Sequence, residues 1–220
     1  MPITVALIPL RGDSKSIPLK NIKLIGGKPL CAWVLEVAIQ VERIDAVYIS
    51  TDSLEIEEVV HSLALGVNII ERPREYATDE ATTESVMLHF MEQVDFDTLV
   101  TIQATSPLLE ARHLDEALKR FKDESLDSML SAVRYKRFFW HDNGAPINYD
   151  PLNRPRRQDF RGTLMENGAF YITKRSILEQ HKCRLGGRIN IYEMPEHTAV
   201  EIDEPRDWEI VSRMLETKNH

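Results

Sequence analysis

The alternation of two hydrophobic periods constrains this chain more than any other feature. Apolar and β-branched runs at residues 3–8, 46–50, 67–70, 98–102 and 128–133 are separated by segments with helical spacing. Strand then helix, repeated, builds βαβ units around a largely parallel sheet, because parallel neighbours need a long crossover. Within residues 30–41, Leu30, Trp33, Val34, Val37, Ala38 and Val41 fall on one core-facing helical stripe, and Pro29 suits the first turn. Residues 54–65 and 114–122 read the same way, the second with Leu114, Ala117, Leu118 and Phe121 on one face. The predicted fold class is therefore α/β, a mostly parallel sheet flanked by helices.

That pattern stops near residue 134. Residues 134–161 are irregular, rich in Arg, Asn and Pro, and too long for a routine connection, which predicts a functional loop or projecting arm. Regular structure is predicted again at 169–172, 189–194 and 199–202, and in a last helix over 205–216 with Trp208, Val211 and Leu215 facing inward. No repeat or linker divides the chain, so residues 1–220 read as a single domain, near the usual roughly 100–200 residues.

Composition removes several function classes. A formal charge of −8 argues against general nucleic-acid binding. The two cysteines, Cys31 and Cys183, form neither a disulfide framework nor a zinc motif, so a reducing cytoplasm is the expected setting. The N-terminal apolar run lacks a basic n-region and is too short to span a bilayer, so no membrane association is expected.

Within this acidic chain, residues 8–22 form a basic loop leaving the carboxyl end of the first strand, where open α/β sheets bind ligands. Arg11, Lys15, Lys20, Lys23 and Lys28 face one acid, Asp13, a local positive field suited to a triphosphate. A plain solvated basic loop is the competing reading. There is no G-x-G-x-x-G, and Gly26-Gly27-Lys28-Pro29 lacks the spacing and the Ser/Thr of a P-loop, so neither a Rossmann dehydrogenase nor a Walker NTPase is indicated. Glu201-Ile202-Asp203 would put two carboxylates on one side of a short strand, hard donors suited to Mg²⁺ on phosphates. Asp203 or Glu204 before Pro205 reads equally well as a helix N-cap. Gln103-Ala104-Thr105-Ser106-Pro107 leaves another strand at its carboxyl end, placed for ligand contact or for starting a helix. The guanidinium-dense Arg154-Pro155-Arg156-Arg157-Gln158-Asp159 suits carboxylates or phosphates. An RNA patch is the alternative, although base-stacking aromatics are absent from the run.

Taken together, the chain resembles the acylneuraminate cytidylyltransferases, or CMP-sialic acid synthetases, nearly end to end. The resemblance rests on Arg11-Gly12-Asp13-Ser14-Lys15-Ser16-Ile17-Pro18-Leu19-Lys20-Asn21, Ser50-Thr51-Asp52, Arg72-Pro73 with Asp79, and Gln103-Ala104-Thr105-Ser106-Pro107. It continues through the Arg154–Asp159 run, Glu166-Asn167-Gly168-Ala169-Phe170-Tyr171 and Glu201-Ile202-Asp203. The Arg154–Asp159 and Glu166–Tyr171 runs look most like the catalytic domain of the animal enzymes, without their phosphatase-like extension.

The resemblance implies a Rossmann-like, three-layer nucleotidyltransferase fold and transfer of CMP from CTP to a 2-keto-3-deoxy nonulosonic acid, with release of pyrophosphate. Arg11, Ser14, Lys15, Asn21 and Arg72 would hold CTP, and Gln103, Asn167 and Tyr171 would contact the sugar acid. Glu201 and Asp203 would hold Mg²⁺, with Arg11, Lys15 and Asp203 as the catalytic set. A homodimer is implied, its arm carrying Arg156 or Arg157 to the partner's sugar pocket, with Arg157 named as the sugar contact. The chain departs from the family where Glu201 replaces Asp, and where Asp13 and Ser16 replace glycines in the basic loop, which implies a shifted loop, a metal-linked Asp13 or an altered sugar preference. Other sugar acids (KDN, legionaminate, pseudaminate or an eight-carbon acid) and a non-catalytic nucleotide-sugar binder are the alternatives.

Overall fold

The computed structural model describes residues 2–218. In chain order the main elements are β1 (Thr4–Pro9), β2 (Leu24–Ile25), β3 (Lys28–Pro29), α1 (Leu30–Ile39), β4 (Ala46–Thr51), α2 (Leu54–Ser62), β5 (Asn68–Glu71) and α3 (Thr83–Gln93). They continue with β6 (Thr98–Ile102), α4 (Ala111–Asp123), β7 (Ser128–Tyr135), β8 (Thr163–Lys174), α5 (Arg175–His181), β9 (Ile189–Met194) and α6 (Pro205–Lys218). Seven strands form one sheet in the order β5-β4-β1-β6-β8-β7-β9. Only β8 runs antiparallel to its neighbours. The chain passes from β1 to β4 on one side and later to β6 on the other. The carboxyl end of β1 is thus a switch point of the kind where such sheets open a crevice.

Alternation along the strands builds two apolar layers. Ala6 and Ile8 of β1 pack with Val100 and Ile102 of β6 against Val34, Leu35 and Ala38 of α1, Ile56 of α2 and Leu114 of α4. Val5, Leu7 and Leu99 point the other way, onto Met87 and Phe90 of α3 and Leu178 of α5. Helices therefore cover both faces. A third cluster unites Ile17 and Ile25 of the basic loop region, Leu30, Leu108, Ile202, and Val211 and Leu215 of α6. This cluster binds the basic loop and residues 201–203 to the same helix.

Several elements differ from the sequence expectations. Helix α3 is additional to the predicted elements, its apolar spacing at Val86, Met87 and Phe90 being short, and the Thr82 hydroxyl caps it by accepting from the Ser85 N–H. Helix α5, of 7 residues, has too few turns to show a period. Residues 199–202 do not form a strand. The chain passes from a 3₁₀ turn at Glu196–Ala199 into extended backbone that gives one sheet-like bond, Ile202 N–H to the Thr105 carbonyl at 2.9 Å. The segment lies between Pro195 and Pro205, neither of which can donate to a ladder. The arm is also shorter than 134–161 at its start, since Arg134 and Tyr135 belong to β7 and Arg134 pairs with Glu193 of β9. What remains is held by its own aromatics, Phe138 lying 4.3 Å from Tyr149 and 4.8 Å from Phe160, with the Arg154 guanidinium 4.3 Å above Phe138.

Candidate active site

At the carboxyl ends of β1, β5 and β6 lies a cavity of about 300 Å³, lined among others by Arg11, Asn21, Arg72, Asp79, Thr82 and Gln103. The basic loop forms one side of it. Gly12 brings the loop against the start of α2, where a Cβ would stand 2.9 Å from the Ser53 Cβ, and its N–H donates to Asp52 at 2.9 Å. Asn21 is buried and donates to the Arg11 carbonyl at 2.9 Å, so it fixes the loop that carries Arg11. Arg11 and Lys15 converge on Asp79 at 3.1 and 2.7 Å. The Lys15 hydrogen bond above all, with Arg11 behind it, holds the Asp79 carboxyl below its usual range. Ser14 is half-buried and Asp13 exposed.

Arg72 forms the floor. It is 4% exposed, and its Nε and Nη2 donate to the Ser50 hydroxyl, at 3.0 Å, and carbonyl. Burial lowers its pKa to about 10. Asp52 opposes this shift and Arg11 adds to it. A desolvated arginine beside a second cation is a strong attractor for an anion.

The acidic segment meets the basic loop from the other side. Ser16 donates to the Asp203 carbonyl, and Lys20 reaches the Ile202 carbonyl at 2.8 Å and the Asp203 carboxylate at 3.4 Å. A serine in place of the family glycine thus ties the two segments together. At the start of α6, Asp207 reaches back and accepts from the N–H groups of Asp203, at 3.1 Å, and Glu204, at 2.8 Å, while the Asp203 carboxylate itself pairs with Lys20. Glu201 lies against the bare Cα of Gly168, and its carboxyl is pushed up to about 7 by burial, then by Asp203 and Glu166. Glu201, buried and crowded by two other carboxylates, is a donor whose repulsion a hard divalent cation would relieve. As they stand, no three acidic, His or Cys side chains among the described residues converge as a complete metal cage. That fits Mg²⁺, which commonly takes one or two carboxylates and completes its shell with substrate phosphates and water.

On the sugar side the expectations divide. Gln103 lines the cavity, its N–H bonded to the Ala169 carbonyl at 3.1 Å. Asn167 and Tyr171 lie behind the wall. Asn167 is fully buried with its amide turned to Thr198 and Met194, and Tyr171 is 4% exposed with its hydroxyl given to Glu166. Asn167 lies in a bulge, since four residues of β8, 167–170, stand opposite the single Ser131 between the Leu130–Tyr171 and Ala132–Glu166 pairs, whereas Tyr171 is in register with its neighbours on both sides. Direct sugar contact by either side chain is not carried by this geometry. Arg157 stands exposed on the arm and does not line the cavity. Lys20 belongs to the basic set of the loop and finds its partners at residues 202 and 203, whereas Asp79 becomes visible as a site residue only when Arg11 and Lys15 are placed beside it.

Residues 5–217 match the family described as cytidylyltransferase. The chain belongs to the cytidylyltransferase family. N-acylneuraminate cytidylyltransferase A of Danio rerio is 38% identical over 218 residues, covering 96% of this chain and 50% of that protein. The N-acylneuraminate cytidylyltransferase of Oncorhynchus mykiss is 39% identical over the same shares. That of Streptococcus agalactiae serotype III is 27% identical over 93% of this chain and 51% of its own. The chain spans about half the length of these relatives. Among solved structures, a CMP:2-keto-3-deoxy-manno-octonic acid synthetase complexed with CTP superposes with a TM-score of 0.77 at 20% identity, over 98% of this chain and 99% of that one. A 4-diphosphocytidyl-2C-methyl-D-erythritol synthase gives 0.69 at 13% identity, over 98% and 100%. At these identities the likeness establishes the cytidylyltransferase fold.

Proposed function

We propose that this cytidylyltransferase activates a 2-keto-3-deoxy nonulosonic acid of the sialic type, CTP + sugar acid → CMP-sugar acid + pyrophosphate. The observation that carries it is the meeting of the basic loop with Asp203 through Ser16 and Lys20, beside a cavity lined by Arg11 and the buried Arg72, in a chain with sialic-type relatives. The anomeric hydroxyl oxygen attacks the α-phosphorus in line, the bond to the bridging oxygen of the β-phosphate breaks, pyrophosphate leaves and the hydroxyl proton is lost. Arg11, Lys15 and Arg72 neutralise the phosphates, and Ser14 and Asn21 complete the nucleotide side, Asn21 through the loop it anchors. Gln103 faces the sugar acid. Preorganised charge and alignment supply the rate, so no enzyme nucleophile is needed. Glu201 and Asp203 would hold Mg²⁺, which when bound supplies charge neutralisation at the leaving pyrophosphate.

The chain acts as a homodimer whose arm lends Arg157 to the partner's sugar pocket, where a guanidinium pairs with a carboxylate as lysine cannot. The support is the self-packed aromatic arm with Trp140 49%, Ile147 51% and Leu152 93% exposed. Both cysteines are free, which suits a cytoplasmic setting. Among the described residues no helix is long and apolar enough to cross a membrane. Pyrophosphate release is the test, with CTP, Mg²⁺ and a panel of N-acetylneuraminate, KDN, legionaminate, pseudaminate and an eight-carbon acid. Turnover of a nine-carbon acid supports the reading. Preference for the eight-carbon acid, or CTP binding without turnover, refutes it.

A further inference from the structure

We infer that Glu84 and Arg184 form a positioning pair that sets the sugar-side wall of the cavity, acting through Tyr171 and Glu166. The inference rests on the proposed sugar-acid reaction. Arg184 binds Glu84 bidentately, Nε to Oε1 at 2.5 Å and Nη2 to Oε2 at 2.8 Å, with each side chain 22% exposed. Its guanidinium lies 4.6 Å above the Tyr171 ring, and its carbonyl accepts from the Thr173 hydroxyl at 2.7 Å. The loop after α5 is thereby pinned to β8. Tyr171 passes the constraint on, because its hydroxyl donates to Glu166 and, two residues before it on β8, the Ala169 carbonyl accepts the Gln103 N–H at 3.1 Å.

The same pair holds the start of α3. Glu84 belongs to the first turn of α3, and Thr82, Thr83 and Val86 from that end of the helix line the cavity. In β6, Thr101 stands beside Tyr171 in register, two residues before Gln103. One ion pair thus couples the helix end that lines the cavity to the strand that carries the aromatic ring and the acid. A guanidinium is the group this position needs, since it can clamp a carboxylate through two parallel bonds while stacking on a ring. Another partly buried pair, Lys174–Asp127, provides the contrast: it closes β8 at the end beside Thr98, the start of β6 and away from the cavity.

The test uses the full chain with CTP, Mg²⁺ and whichever sugar acid the wild type turns over. Arg184→Met should raise the sugar-acid KM about tenfold, the scale of a small misplacement in a preorganised site, and leave the CTP KM within about twofold. Glu84→Gln should act in the same direction. The double variant should be no worse than Arg184→Met alone, since both lesions remove one coupled contact. Lys174→Met should lower thermal stability with both KM values unchanged. A sugar-acid KM untouched in Arg184→Met, or both KM values drifting together with lost stability, overturns the inference. If the wild type turns over no sugar acid, the functional reading fails, and the pair is then judged without activity. The labelled Tyr171 ring resonance, assigned with Tyr171→Phe, should move in Arg184→Met and Glu84→Gln but not in Lys174→Met. An unmoved resonance refutes the positioning role.

Discussion

Gly168→Ala separates backbone strain from damage to the acidic site, because a second glycine provides the strain alone. Gly168 has φ +61°, a left-handed conformation that costs an L-residue about 1–2 kcal/mol. An added Cβ would also stand 2.9 Å from Glu201 Oε1 and 3.2 Å from its Cδ. The carboxylate is the mobile partner and must retreat about half an ångström to reach the 3.4 Å of ordinary contact. Gly66 has φ +69° with nothing within 4 Å of a built Cβ. Both alanine variants should therefore lose about 1–2 kcal/mol in urea unfolding, or roughly 2–8 °C in Tm for a domain of this size. Only Gly168→Ala should lose activity. A shift on the order of 1 Å can cost about a hundredfold in a site that depends on alignment, so half that distance should lower kcat about tenfold and raise the Mg²⁺ concentration needed. Pyrophosphate release against Mg²⁺ concentration, run beside the unfolding curves, reads both effects. Gly168→Ala retaining the kcat and Mg²⁺ response of Gly66→Ala would refute the placement of Glu201 in the site.

Asp207→Ala should lower stability by about 1 kcal/mol while keeping metal-dependent turnover, because it removes the acceptor of two N–H groups at the start of α6. Asp203→Asn should do the reverse, and early melting of that variant with full Mg²⁺ dependence would contradict the assignment. Glu201→Gln should stabilise the metal-free protein at high pH. The folded carboxyl is raised to about 7 from 4.5, so its relative stabilisation is complete below pH 4.5 and is lost as pH rises through 7. At pH 8 the glutamine variant should be more stable by about 1–2 kcal/mol after allowance for solvent screening, and unfolding at pH 4.5 and pH 8 should show the difference only at the higher value. Lys15→Ala should keep the wild-type Tm, since the side chain is 77% exposed, yet lower turnover on the order of 10²–10³-fold, and near-normal turnover would remove Lys15 from catalysis.

Local physics made much of this protein legible from its sequence. Period-two strands and 3.6-period helices are written in neighbouring residues. The parallel core, the stripe on α1, the burial of Val211 and Leu215 and the basic loop after β1 could therefore be read without coordinates. Family motifs added which residues belong to the site, but not which way they point. Asn167 is buried in the bulge of β8 opposite Ser131, and Tyr171 between β6 and β7, and both a bulge and a register depend on how strands pair. The Asp203 carboxylate meets Lys20 while Asp207, four residues on, turns back to the N–H groups of Asp203 and Glu204, an arrangement that only the packed chain displays. Residues 201–203 reach Lys20 because Ile17, Ile202, Val211 and Leu215 share one apolar cluster. No local periodicity encodes a contact across more than 180 residues of chain, between Lys20 and Ile202. The sequence determined the elements and the chemistry each carries, and burial of apolar faces against one another decided which of those groups meet.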